Sequence, residues 1–214
     1  MNIQRQQILQ GLPEPTLRRL PWYLAYVSGL LRENIEFVSS TQISAAVGVD
    51  SSQIAKDLSF LNIKGKTRIG YPVSRLENEL RDFLGFRHSH SAIVIGAGSL
   101  GSALMRDSGL HRYGLDIVAA FDIDPQIAGG ELCGIPIYHM SQLPGIVPEL
   151  GIKIAVLTVP VDAAQSSADA VMDAGVPAIW NFTPTRIKMR DGFVVQNTSL
   201  YAHLAVMYNR LQLI

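Results

Sequence analysis

The chain has 214 residues, 48% of them hydrophobic and 17% charged, and its 18 Lys and Arg balance its 18 Asp and Glu. That apolar fraction excludes a disordered chain, no run approaches the roughly 18 apolar residues of a membrane span, and no signal-peptide pattern opens the sequence. One cysteine, Cys133, excludes an internal disulfide and a cysteine-built metal site, and it fits a reducing, cytoplasmic compartment. The zero net charge is a cancellation, because residues 1–90 carry eleven basic and eight acidic side chains and residues 91–214 carry seven and ten. Texture changes at the same place, from helices with polar turns to short β-branched runs alternating with helices. The expected division is residues 1–86, 87–196 and a terminal helix over 197–214.

In chain order, Thr16 to about Glu33 has helical apolar spacing through Leu17, Leu20, Leu24, Val27 and Leu31. Pro15 suits its start, whereas Pro21 is expected to kink the run or mark a later beginning. Ser39 or Ser40 caps a short helix through Val47, Gly48-Val49-Asp50 is a tight break, and Ser51 or Ser52 caps a second helix to about Leu61. In that second helix Ile54, Leu58 and Leu61 face inward, while Gln53 and Lys56, with Ser52 at the start, lie on another face. Short helix, glycine turn and a helix with a polar outer face is the helix-turn-helix arrangement, whose second helix enters the major groove. Gln can read adenine edges, and Lys can contact guanine or phosphate. Lys64-Gly65-Lys66-Thr67-Arg68 then reads as a basic turn able to form a wing. From Ala55 to Arg75, Lys56, Lys64, Lys66, Arg68 and Arg75 stand against Asp57 alone, a local patch suited to phosphate. The same pattern fits a small helical protein-interaction domain, and the residues alone leave both readings open.

The second part begins with a buried-strand run, Ala92 to Ile95, leading straight into Gly96-Ala97-Gly98-Ser99-Leu100-Gly101 and a helix through Arg106. This is a glycine fingerprint in the required context of strand before and helix after. Gly96 permits the turn, Gly98 lets backbone approach a pyrophosphate, and Gly101 lets the helix pack close, with Ser99 and Leu100 opening the helix N-terminus that favours anions. A second strand, Ile117 to Phe121, ends at Asp122, twenty-one residues past Gly101 and followed by Ile123. A carboxylate there accepts from ribose hydroxyls and repels a 2′-phosphate, which favours NAD over NADP. Asp124, before Pro125, reads as turn chemistry instead. Further strands, Ile154 to Leu157 and Ala178 to Trp180, end in Thr158-Val159-Pro160 and Asn181-Phe182-Thr183-Pro184, with an Ala-rich helix from Val161 to Ala174 between them. Thr158 and Asn181 are expected to hydrogen-bond the nicotinamide half, with Val159, Pro160 and Phe182 packing beside it. Asn197 to Leu213 is expected to be a helix with a Leu200, Leu204, Met207, Leu211 stripe, flanked by Tyr201 and Tyr208, which packs on its own domain or, in the sharper reading, forms a dimer interface. His111, His139 and His203 are scattered with no carboxylate assignable to them, Cys133 reads as structural, and thirty-three residues after Asn181 leave little room for a substrate domain. No catalytic residue and no metal ligand is therefore assigned.

Taken together, Gln53-Ile54-Ala55-Lys56-Asp57-Leu58-Ser59, Gly70-Tyr71, the glycine fingerprint, Phe121-Asp122-Ile123-Asp124-Pro125, Leu157-Thr158-Val159-Pro160 with Ala164-Gln165, and Asn181-Phe182-Thr183-Pro184 resemble the Rex family of NADH-responsive transcriptional repressors. The resemblance spans about residues 16–210. It implies an α/β protein with an N-terminal winged helix, a C-terminal Rossmann domain and a homodimer whose last helix swaps onto the partner. It also implies binding of operator DNA that is lost when NADH rises, with Lys56 touching base or phosphate and Asp122 the ribose. Three departures stand out. Ala55 replaces an Arg usual in the family, Thr67-Arg68 replaces Arg-Gly in the wing, and Ala25 and Ser199 replace an Arg–Asp ion pair. Losing both halves of a pair strands no charge, and it points to a rewired or weakened redox response and a different operator. The alternatives are a family paralogue with altered redox response and a small NAD-dependent oxidoreductase with a helical accessory domain.

Overall fold

The computed structural model describes residues 12–213, which divide between Arg87 and His88 into two compact units. In the first unit, α1 (Glu14–Arg32) is followed by β1 (Phe37–Val38), α2 (Ser40–Val47), α3 (Ser51–Leu58), β2 (Tyr71–Pro72) and α4 (Val73–Phe83). β1 and β2 pair antiparallel, Val38 opposite Tyr71. The core joins Leu20, Tyr23, Leu24 and Val27 of α1 to Ile43, Ile54, Leu58, Leu76 and Leu80. That packing explains why Pro21 does not mark a later start, since α1 begins at Glu14 and continues through it. A missing interior hydrogen bond costs about 3 kcal/mol, and four fully buried large side chains on α1 return about 1.5–3 kcal/mol each.

The turn between α2 and α3 is built from local chemistry. Ser39 and Gln42 form a reciprocal capping box at the start of α2, with Ser39 Oγ accepting from the Gln42 N–H at 3.1 Å and Gln42 Oε1 accepting from the Ser39 N–H at 2.8 Å. Gly48 ends α2 in the left-handed region at φ +69°. The cap of α3 is Asp50, not the expected Ser51 or Ser52, and it accepts from the Ser52 N–H at 2.8 Å. α3 stops at Leu58, three residues short of the expected end. After it, Lys66 and Gly70 pair across a tight turn whose tip, Arg68, has φ +65°. Only glycine fits at position 70, where a Cβ would lie 2.3 Å from the Val38 carbonyl oxygen.

The second unit runs β3 (His90–Ile95), α5 (Ser99–Arg106), α6 (Ser108–Arg112), β4 (Leu115–Asp122), β5 (Glu131–Leu132), β6 (Ile135–His139), a short 3-10 turn, α7 (Leu143–Leu150), β7 (Ile154–Leu157), α8 (Val161–Asp173), β8 (Ala178–Asn181), β9 (Val194–Asn197) and α9 (Leu200–Leu211). The seven strands are ordered β5-β6-β4-β3-β7-β8-β9 and are parallel except for β5 against β6. Ile93 and Ile95 pack into one apolar cluster and Val94 into another, so β3 is buried on both faces, as a parallel strand requires. Strands β5, β6 and β9 were not anticipated from the sequence. β9 takes Asn197 out of the expected terminal helix, and α9 begins only at Leu200. No helix among the described residues is long and apolar enough to cross a membrane.

Candidate functional site

The chain leaves β3 toward β4 on one side and later returns to β7 on the other, and the split opens a crevice at the carboxyl ends of these strands. A cleft of about 600 Å³ lies there, lined by Gly96, Gly98, Ser99, Leu100, Asp122, Ile123, Thr158, Val159, Pro160 and Phe182 among others. Each glycine has a separate reason. Gly96 sits at φ +93° with Thr158 and Val159 about 3.0–3.1 Å from where its Cβ would be. A Cβ on Gly101 would lie 2.0 Å from the Gly96 carbonyl oxygen, so α5 can lean on β3 only as glycine, and Gly101 itself stays out of the cleft. Gly98 has open space within 4 Å of its missing Cβ and caps α5 with no side chain, leaving the first N–H groups of the helix free for anionic oxygens.

Asp122 closes the cleft from β4. Its Oδ2 accepts from the Ala97 N–H at 2.7 Å and its Oδ1 from the Asp124 N–H at 2.9 Å, so the carboxylate is oriented by the glycine loop it faces. Asp124 accepts from the Gln126 N–H at 2.9 Å, the turn role expected of it. Thr158 lines the cleft, but its hydroxyl donates to the Gly96 carbonyl at 2.7 Å, leaving only its acceptor side. Asn181 is the clear correction. Fully buried, it is absent from the cleft wall, and its amide is consumed by Thr185 O and Asn197 Oδ1 as donor and by Thr183 N and Oγ1 as acceptor. It braces the strand-end loop, and Phe182, tilted at 49° against Trp180 with centroids 4.6 Å apart, reaches the cleft instead. Leu200 and Tyr201 of α9 also line it, which sequence reasoning missed because they lie far along the chain.

On the first unit, Ser52, Lys56, Lys64, Lys66 and Arg68 are all exposed. Lys66 lies over the Phe37 ring at 5.6 Å, which seats the wing turn on β1. Gln53 is half-buried and its amide donates one N–H to Asp57 at 2.8 Å, which leaves its carbonyl and its second N–H for a base. The largest feature missed was Asp57 itself, fully buried on the inner face of α3. Arg19 grips it with Nε and Nη2 at 2.7 and 2.8 Å, Tyr23 donates at 2.8 Å and Thr16 at 3.0 Å. Burial pushes the Asp57 carboxyl up, but bonds from Arg19, Tyr23, Gln53 and Thr16 outweigh it and hold it down at about 2. The Asp57 bond in turn raises Arg19, and burial followed by that bond raises Tyr23. A signal existed in the sequence: position 57 falls between Ile54 and Leu58 on the apolar stripe, where a lone acid demands a partner.

The histidines find local partners outside the cleft. His111 Nδ1 contacts Asp116, which also accepts from Ser89 Oγ, a carboxylate partner that the sequence could not assign. The Ser89 bond and then His111 hold the Asp116 carboxyl below its ordinary range. The Ser89 hydroxyl binds the acid and not the imidazole, which is no arrangement for a nucleophile. His139 is bonded to Ser141 and His203 to the Ser199 carbonyl. Cys133 is exposed at φ +54° in the turn between β5 and β6, a place without the packing role expected of it.

A helix-turn-helix unit with a basic wing, followed by a Rossmann unit with a glycine loop and a strand-end acid, defines the class: a DNA-binding regulator answering to a dinucleotide. Residues 11–59 match the family model described as "Putative DNA-binding protein N-terminus", and residues 87–185 match the one described as "CoA binding domain". The chain is 56% identical over 200 residues to the redox-sensing transcriptional repressor Rex of Bacteroides fragilis, covering 94% of this chain and 91% of that one. It is 54% identical over 201 residues to that of Porphyromonas gingivalis, covering 94% and 92%. The chain belongs to the Rex family of redox-sensing transcriptional repressors. Among solved structures it is similar to RSP, a Rex-family repressor, in complex with beta-NAD+ and operator DNA, with a TM-score of 0.89, 32% identity and coverage of 94% and 92%. The complex of RSP with beta-NADH gives a TM-score of 0.85 and 33% identity, with 94% of each chain covered. The resemblance carried by the sequence motifs and the expected fold class, a DNA-binding unit followed by a Rossmann unit, both hold.

Proposed function

We propose that this chain is a cytoplasmic, homodimeric repressor that binds operator DNA through α3 and the wing and lets go when NADH fills its cleft. One observation carries the reading: a single chain holds both the cleft closed by Asp122 and the exposed cationic face around Lys56. Phosphates sit at Gly98, Ser99 and Leu100, the adenosine ribose bonds Asp122, and Ile123 covers the adenine side. Val159, Pro160 and Phe182 pack on the nicotinamide half. Coenzyme A fits less well, because its adenosine ribose carries a 3′-phosphate that the Asp122 carboxylate repels. Ser52, Gln53 and Lys56 face the major groove, and Lys64, Lys66 and Arg68 meet phosphate. Leu204, Met207, Tyr208 and Leu211 are exposed along α9 and supply the dimer face. An oxidoreductase is disfavoured, since the titratable side chains lining the cleft are Asp122, Asp124 and Tyr201, and both acids are bonded to backbone N–H groups.

The redox threshold is set without the ion pair named above. Ala25 is exposed, and Ser199 accepts from the Ala202 N–H at 3.2 Å as the cap of α9. The test is anisotropy of a duplex selected by the protein from a random pool, titrated with NADH and NAD at fixed total. Release by NADH, with calorimetry showing the same coupling factor in nucleotide affinity with and without that duplex, supports the reading. Binding indifferent to nucleotide would leave only a constitutive repressor, and release at the same NADH/NAD ratio as a typical family member would sink the altered threshold.

A further inference from the structure

Beside the exposed edge of α3 lies a second cleft, about 510 Å³, that the base-reading face does not use. Its walls come from Ala55 and Ser59 of the helix and its end, the 61–65 loop, Tyr71 of β2 and Arg75 of α4. Two features make it a site for an anion. Lys64 and Arg75 both line it, and no Asp or Glu does. The nearest acid on the helix, Asp57, is turned inward and neutralised by Arg19.

The cleft is also built in advance of any ligand. Arg75 Nη2 donates to the Asn62 carbonyl at 3.2 Å, which ties the arm to the loop while using one of the five guanidinium N–H groups. The loop passes close to the Tyr71 ring, where a Cβ on Gly65 would come within 3.1 Å of the aromatic carbons. At Ala55 the helix contributes only a methyl group, which leaves the opening clear. An ammonium and a pinned guanidinium at the rim of a cleft with no acid suit a phosphodiester, the Arg by its fork and the Lys as a point charge.

We propose that this cleft seats one backbone phosphate of the bound duplex, with Arg75 as its principal ligand and Lys64 assisting. The inference rests on the operator-binding reading above and adds a contact that carries no sequence information. Arg75 then sets overall affinity and salt sensitivity, and base preference is left to the outer face of α3.

The test measures binding to a duplex selected from a random pool and to an unrelated duplex of equal length, from low to moderate salt. Arg75→Ala is expected to weaken both by a similar factor and to flatten the plot of log K against log salt by about 0.9, the value of one lost phosphate contact. Arg75→Lys should keep the slope, and Ala55→Arg added to Arg75→Ala should restore it by placing a cation on another wall. An unchanged slope in Arg75→Ala, while the wild type binds and Lys56→Ala weakens it, would overturn this inference alone. A wild type that binds neither duplex would overturn the operator-binding reading and this inference with it.

Discussion

Replacing Asp57 by Asn removes the charge at the centre of the first unit while keeping its size. In the wild type, Oδ1 accepts from Arg19, Thr16 and Gln53, and Oδ2 from Arg19 and Tyr23. An amide offers one acceptor oxygen, and its NH2 faces donors, so the Arg19 cation is left half-paired. Breaking a buried pair from one side costs about 3–5 kcal/mol, and Arg19 is still 21% exposed, which places the loss near 3 kcal/mol. Part of that loss must depend on pH. The Asp57 carboxyl falls from an ordinary 3.8 to about 2 on folding, which converts to about 2 kcal/mol of stability at neutral pH. Because the folded value is the lower one, this stability is fully present above the unfolded value and disappears as pH falls through the folded value. About half of it is gone by pH 3. Asn mimics the protonated acid, so the gap between wild type and variant should narrow by about 1 kcal/mol between pH 7 and pH 3. Urea unfolding followed by fluorescence at both pH values measures it. A loss below 1 kcal/mol at pH 7, or a gap that does not change with pH, refutes the account. The exposed Glu14–Arg18 pair is the control, and Arg18→Ala should cost less than about 0.5 kcal/mol.

Other outcomes follow from the second unit. Gly101→Ala drives a methyl into the Gly96 carbonyl, so calorimetry should find no NADH binding and melting should show a destabilised α/β unit; binding near wild-type strength would show that α5 does not need this close approach. Asp122→Ala removes a charged acceptor worth about 1.5–3 kcal/mol. NADH fluorescence titration should then show about ten- to hundredfold weaker binding, with discrimination against NADPH relaxed. Unchanged affinity would place the ribose elsewhere. Leu204→Glu puts a charge on the exposed stripe of α9 and should shift sedimentation from dimer to monomer, whereas a dimer untouched by it would have its interface on another face.

The glycine loop and Asp122 were legible because their chemistry is contiguous: a turn, a helix start and a strand end, each announced by neighbouring residues. The apolar positions of α3, Ile54 and Leu58, were legible from periodicity, whereas Asp57 on the same stripe was not read as buried. What lay hidden depended on direction or distance. The strand-end rule put Asn181 in the right loop, but it could not tell that Asn181 turns toward Asn197 while Phe182 turns toward the cleft. Asp57 meets Arg19 and Tyr23 across 38 and 34 residues, a separation that no local pattern reports. β9 is four residues with little burial, at the edge of the sheet, and its apolar signal is too short to separate from the helix that follows. Pro21 shows the reverse case, a local rule overridden by packing.

The buried amide of Asn181 has a consequence for how order spreads through the second unit. One residue holds the loop that forms part of the cleft wall and, through Asn197 Oδ1 at 2.8 Å and the Thr198 N–H at 2.8 Å, the segment that launches α9. The indole of Trp180 adds a bond to Thr198 at 2.9 Å. The cleft wall at Phe182 and Thr183 and the segment leading into α9 are therefore tied through one residue, and losing the Asn181 side chain would loosen both together.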